Sequence, residues 1–249
     1  IPVWVWYFIR TGRVWYFSTV NPTLEFSGFE GETKREMFEQ LPSYCYPKTV
    51  YITAKQDFNK TLQQMEEAGI QFPVAVKPDI GSQGLCFRKI DNEAQLKAYH
   101  SYLPVDYLIQ DMIETPVEMS VFYVRYPNET KGKVTGLIAK EYMQVKGDGS
   151  KTLLQLMGEH EKAKHRLEEL TKKHEDNLQK VITKDEVYFL SITGNHNRGA
   201  KFSNLHNEID EQLTAVFDAL SNHAKHFYYG RFDIKTTSLA DLKQGKNFS

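Results

Sequence analysis

The sequence predicts an α+β protein, and three observations predict it. Short β-branched runs bounded by proline or glycine recur along the chain, as at Pro73-Val-Ala-Val-Lys77-Pro78 and Tyr107 to Ile113. Neighbouring runs are joined by turns, including Gly81-Ser82-Gln83-Gly84 and the Pro127-Asn128 to Gly132 segment, so the strands look antiparallel. Capped and periodic helical patterns flank the runs, which suggests α+β lobes rather than a doubly wound sheet.

The elements follow in order. Residues up to about Asn21 form an aromatic opening, and Asn21-Pro22 with Gly28 and Gly31 reads as loop. Glu32 to Leu41 reads as a short helix; Pro42 and Pro47 then break the chain before a strand at Thr49 to Thr53. A helix from about Phe58 to Ala68 stops at Gly69. Pro73 to Pro78 and Leu85 to Ile90 are strands on either side of the glycine loop. Asn92 with Gln95 caps a helix through about Tyr102, and strands follow at Tyr107 to Ile113, Met119 to Tyr126 and Val134 to Tyr142. Gly147-Asp148-Gly149 is a tight turn, after which Thr152 and Gln155 cap a highly charged, solvated outer helix reaching roughly Val181. Val187 to Ile192 reads as strand and Gly194 to Gly199 as loop. Leu205, Ile209, Leu213, Val216, Phe217, Leu220 and Ala224 recur at the spacing of an amphipathic helix, which Gly230 ends. In the last strand, Arg231, Asp233 and Lys235 share one face while Phe232 and Ile234 take the other.

With 249 residues, 41% of them apolar and 25% charged, the chain can bury a real core in one or two domains. Lys plus Arg (31) nearly balances Asp plus Glu (32), so no global field attracts nucleic acid. Cys45 and Cys86 make neither a disulfide framework nor a CxxC pair, and a reducing cytoplasm is the expected setting. Ile1 to Phe17 is crowded with aromatic and β-branched residues, but Arg10 and Arg13 interrupt a run far shorter than the roughly 20 residues of a membrane span. Two readings of it stay open: a core or lobe-covering segment, and an interfacial one that meets a membrane surface with its arginines snorkelling.

Three features converge on phosphate. Lys77 ends a strand that runs into a loop with two glycines, where small residues let backbone N–H groups approach phosphate oxygens and the ammonium neutralises charge. The ordinary alternative is a hairpin with a solvent-facing lysine. The charged face of the last strand must be wet, paired or coordinating a metal, because unpaired buried charge costs free energy. The Gly194-Asn195-His196-Asn197-Arg198-Gly199 loop packs donors that could enclose an anion, though such loops are also plain turns. Neither GxxxxGK[ST] nor GxGxxG occurs, which argues against two other nucleotide folds. His223 and His226 lie three apart without an evident third ligand for zinc.

Taken together, the Pro73 to Gly84 segment, Leu108-Ile-Gln-Asp-Met-Ile113, Pro116-Val-Glu118 and Gly230-Arg-Phe-Asp233-Ile-Lys resemble the ATP-grasp superfamily, with D-alanine:D-alanine ligase and cyanophycin-synthetase-type carboxylate-amine ligases as relatives. The resemblance runs over about residues 32 to 240. It implies ATP and Mg2+ between two α+β lobes, residues 32–118 and 119–249, behind an N-terminal segment of residues 1–31. It also implies a carboxylate substrate activated as an acyl phosphate and captured by an amine or similar nucleophile. On this resemblance Lys77 contacts the α- and β-phosphates, Gly81, Ser82, Gln83 and Gly84 are the flap, and Lys34 and Lys140 are further phosphate lysines. Gln110, Asp111, Met112 and Ile113 form the adenine hinge, with Gln110 and Asp111 standing where many relatives have two acidic residues. Glu118 takes the ribose hydroxyls, Arg231 the acyl phosphate and Asp233 the magnesium. His196, Asn197 and Arg198 are the candidates for substrate contact. The family's remaining metal ligands, a Glu and an Asn two residues apart, do not occur before Ser249, so the chain is expected to be part of a longer protein. The competing expectations are a nucleotide-binding scaffold that has lost turnover, and a kinase on the same fold.

Overall fold

The computed structural model describes residues 2–28, 31–81, 84–191, 194 and 199–249. Its chain falls into two units, residues 1–137 with 206–249, and residues 138–205. The first unit begins with α1 (Pro2–Thr11), into which the aromatic run folds, followed by 3-10 turns at Tyr16–Thr19 and Glu25–Gly28. α2 (Lys34–Glu39) starts where the Thr33 hydroxyl accepts the Glu36 N–H at 2.9 Å.

β1 (Thr49–Ile52), α3 (Phe58–Glu67), β2 (Val74–Pro78), β3 (Arg88–Ile90), α4 (Glu93–Tyr102) and β4 (Tyr107–Asp111) build a helix-backed antiparallel sheet in the order β1-β4-β2-β3. Asp57 caps α3, and the expected Asn92 cap on α4 is present. Alternation sorts the strands. Ile52, Val74, Val76, Tyr107 and Ile109 enter a core with Met65, Leu96 and Tyr99, which leaves Tyr51, Ala75, Lys77 and Gln110 on the opposite face. β3 is shorter than the Leu85 to Ile90 run, because Cys86 sits at φ 55, outside the strand region, and pairing begins only at Arg88.

β5 (Val117–Val124) neighbours β6 (Lys133–Glu141), which continues into the second unit. There its end pairs antiparallel with a later strand from Ile138↔Asn204 to Glu141↔Lys201. β7 (Gln144–Lys146) follows, then α5 (Leu153–Glu159) with the expected Thr152–Gln155 capping box, a 3-10 turn at Ala163–Arg166, α6 (Leu167–Lys173), β8 (Val187–Phe189) and β9 (Lys201–Asn204). The single solvated helix expected from Thr152 to Val181 is not formed. His160 is extended at ψ 129, and its Nδ1 accepts the N–H groups of Lys162 and Ala163, which turns the chain. Leu153, Met157, Ala163 and Leu170 can then fold onto Ile182 and Leu190 as a core. The predicted strand at Val187 stops at Phe189, and Ile192 lies outside the described residues.

The chain returns to the first unit in α7 (Glu211–His223), whose start is later than the apolar periodicity indicates because Asp210 caps it, accepting from Leu213 N at 2.9 Å. β10 (Tyr229–Thr236) pairs antiparallel with β5 along its whole length, and Phe217 of α7 packs on Phe232 at 5.2 Å between ring centroids. Gly230 does not end the helix. It lies inside β10, and a Cβ there would stand 2.3 Å from the Phe227 ring. After α8 (Leu239–Lys243), Ser249 runs back beside β10, exchanging two 2.8 Å backbone hydrogen bonds with Lys235.

Asn21 gives its loop a structural role. The side chain is 4% exposed; Oδ1 accepts from the N–H groups of Tyr228 (2.8 Å) and Tyr229 (3.2 Å), while Nδ2 donates to Tyr229 O (2.7 Å) and Ser27 O (3.3 Å). Asn21→Ala strands these backbone groups, so urea unfolding is expected to lose roughly 2–4 kcal/mol. An unchanged urea midpoint would mean the clamp holds nothing.

Candidate functional site

Two polar clusters stand on the first unit, each on a sheet face opposite the one that packs on helices. The first is built by β2 and α2. Lys77 emerges beside Ala75, and its Nζ lies 5.4 Å from the centroid of the Phe38 ring. Lys34, at the start of α2, donates from Nζ to the carbonyl oxygens of Asp79 (2.9 Å) and Gly81 (3.1 Å). Its backbone N–H also donates to Asp79 O at 3.1 Å, and Asp79 Oδ1 accepts from Arg35 N at 3.0 Å. The mouth of the glycine loop is therefore tied to the first turn of a helix. Gly81 (φ 154) and Gly84 (φ 69) adopt backbone conformations that favour glycine, whereas Ser82 and Gln83 lie outside the described residues.

Among the described residues, neither ammonium has a carboxylate bonded to it. Burial pushes the Lys77 pKa down to about 8, and the neighbouring Lys34 charge adds to the effect. Burial also lowers Lys34, against the opposing pull of Asp79 and Glu32. Two half-buried like charges thus stand at the end of a strand, beside a loop of permissive backbone. Such an arrangement is chemically suited to an anion.

The second cluster lies across β5 and β10. Their register sets Arg231 opposite Phe122, Asp233 opposite Ser120 and Lys235 opposite Glu118. Ser120, 3% exposed, donates from Oγ to Asp233 Oδ1 at 2.5 Å, and Arg231 donates to Oδ2 at 2.8 Å. The carboxylate is oriented from both sides, while Arg231 and Asp233 still reach water. Lys235 donates from Nζ to Ile113 O at 3.4 Å; burial lowers its pKa and the Glu118 carboxylate opposes the shift. The charged face of the last strand is therefore paired and wet. Sequence reasoning missed Ser120, because a serine inside an apolar strand gives no sign of a partner 113 residues away.

Gln110 and Asp111 close β4. The Gln110 side chain is buried and donates to Thr49 Oγ1 at 2.7 Å, so it is spent on β1, and Asp111 N donates to Lys48 O at 3.1 Å. Met112 and Ile113 leave the sheet half-buried, and Thr115 Oγ1 in the same link is buried with no hydrogen-bond partner among the described residues. An orphaned hydroxyl of this kind suits a ligand's polar edge. Lys140 lies on β6 in the second unit, opposite Phe202. His196, Asn197 and Arg198 lie outside the described residues.

No group of three His, Cys, Asp or Glu side chains converges among the described residues. Asp233 offers one carboxylate. Magnesium commonly takes one or two carboxylates and completes its shell with phosphate oxygens and water, so this residue fits a metal delivered with a polyphosphate rather than one held in a protein cage.

No protein-family model matches the sequence, and no curated protein does. Among solved structures, the chain is similar to VanG D-Ala:D-Ser ligase from Enterococcus faecalis, with 13% identity over 82% of this chain and 48% of that one, at TM-score 0.47. It is similar to D-alanine–D-alanine ligase from Bacillus anthracis, with 13% identity over 82% and 51%, at TM-score 0.43. A bifunctional glutathione synthetase from Pasteurella multocida matches with 16% identity over 78% and 28%, at TM-score 0.40. The chain thus spans about half or less of the length of each of these proteins.

Proposed function

We propose that the chain is the nucleotide-binding part of an ATP-dependent ligase of the ATP-grasp kind, which activates a carboxylate as an acyl phosphate and couples it to an amine or similar nucleophile. The observation that carries this reading is the Lys34–Lys77 pair beside the glycine loop. Confining two cations together without a bonded carboxylate costs free energy, and a polyphosphate offsets that cost.

In this reading Lys77 neutralises the phosphates, Lys34 holds the loop mouth against them, and the backbone of Gly81 to Gly84 donates to their oxygens. The backbone of Met112 and Ile113, with the Asp111 carbonyl, meets adenine; the Gln110 side chain and the Asp111 N–H do not, being bonded to Thr49 and Lys48. Glu118 accepts the ribose hydroxyls. Asp233 holds magnesium, which offsets phosphoryl charge when bound. Arg231 presents its guanidinium to the oxyanion as the substrate carboxylate oxygen bonds to the γ-phosphorus and the bridge to ADP breaks. The amine nitrogen then bonds to the acyl carbon, inorganic phosphate leaves, and the amine loses a proton to solvent.

The test supplies MgATP, a panel of amino acids and dipeptides, and hydroxylamine as a surrogate nucleophile. ADP together with a hydroxamate is the expected product pair. ADP with a stable phosphorylated product that ignores hydroxylamine would make the protein a kinase. Absence of MgATP binding by the folded protein would sink the nucleotide reading itself.

A further inference from the structure

We propose that α1 is an interfacial helix that seats the protein on an anionic lipid surface. The proposal uses no residue of the nucleotide site. α1 reads Pro-Val-Trp-Val-Trp-Tyr-Phe-Ile-Arg-Thr and has no buried residue among its ten. A helix that is apolar around its circumference is ordinarily buried, yet Val3 is 67%, Trp6 51% and Ile9 73% exposed. Part of the helix is satisfied internally: Trp4 and Tyr7 meet the Tyr16 ring at 6.0 and 5.6 Å between centroids. Its remaining surface stays open, and Trp15 extends the patch at 58% exposure.

Composition and charge select the occupant. Tryptophan and tyrosine are the side chains that settle at the headgroup level, where a ring can be half apolar and half wet. Residues 1–24 carry Arg10 and Arg13 and no acidic side chain; the first carboxylate is Glu25. The Arg10 guanidinium lies 5.1 Å from the Trp6 ring centroid, so cation and aromatic occupy one stretch of surface, as an anionic headgroup layer over acyl chains requires. No described helix is long and apolar enough to cross a membrane.

The experiment floats the protein with phosphatidylcholine vesicles, with and without phosphatidylglycerol, and follows tryptophan emission. Flotation with the anionic vesicles and a blue-shifted emission are expected. Arg10→Gln with Arg13→Gln should weaken binding roughly 25-fold, about fivefold for each charge lost. Trp6→Ser with Ile9→Ser should abolish it while leaving the urea midpoint in place, since these side chains are exposed. No flotation with either vesicle overturns the proposal, as does flotation indifferent to phosphatidylglycerol and to both arginines. A dimer in sedimentation that Trp6→Ser dissolves also overturns it, assigning the patch to a second copy of this chain.

Discussion

MgATP is expected to raise the unfolding midpoint of the wild-type protein, and Lys77→Met is expected to abolish that rise while stabilising the ligand-free protein by roughly 2–3 kcal/mol at pH 7. Both effects come from one charge. A lysine displaced from 10.5 to about 8 gives up about 1.36 kcal/mol per pKa unit in keeping its proton inside the fold, and part of that is offset by the Phe38 ring. Methionine keeps the length of the side chain and removes the charge. On the proposed function, ligand binding and stability therefore pull in opposite directions at this residue.

The pH dependence has a definite sign. Between pH 8 and 10.5 the unfolded chain holds the Lys77 proton and the folded chain does not, so stability rises with pH across that window. Below pH 8 the penalty is complete. Wild type and Lys77→Met should consequently converge as the pH approaches 10.5. With ligand the sign reverses, because a polyphosphate favours the ammonium and raises its pKa. MgATP affinity should be greatest below pH 8 and fall as the pH climbs above it. A Lys77→Met protein that is no more stable than wild type and still shifts with MgATP removes Lys77 from the site.

The parts legible in the sequence were those governed by neighbours. The caps at Asn92 and Thr152, and the alternation that sets Arg231, Asp233 and Lys235 on one face, depend on residues within a few positions of each other. What escaped depends on partners far along the chain or on one bond's geometry. Asn21 clamps backbone 207 residues away, and Ser120 finds Asp233 across a strand register that no local pattern encodes. His160 breaks a charged helix by accepting two N–H groups, a role its neighbours do not advertise. Gly230 reads as a helix stop only because a sequence cannot show that the Phe227 ring takes the place of its missing side chain.

Asp233→Asn separates chemistry from folding more sharply than Lys77→Met, because the carboxylate is oriented but not deeply buried. Ser120 and Arg231 each engage one of its oxygens, and both members of the ion pair reach solvent, so losing the charge should cost at most about 1 kcal/mol of stability. Asparagine can keep the Ser120 contact through its carbonyl oxygen while it gives up the anion that orients Arg231 and that a divalent ion needs. Loss of preorganised electrostatics of this kind typically costs on the order of 10²–10³ in rate, and that drop is expected in MgATP-dependent turnover. Magnesium titration distinguishes the two residues. Asp233→Asn should raise the Mg2+ concentration required at saturating ATP, whereas Lys77→Met should raise the ATP requirement at saturating Mg2+. Ser120→Ala, which keeps the charge and frees its orientation, should fall between wild type and Asp233→Asn. An Asp233→Asn protein with wild-type turnover and an unchanged magnesium requirement would take the β5–β10 face out of the reaction, leaving the Lys34–Lys77 pair as a nucleotide clamp alone.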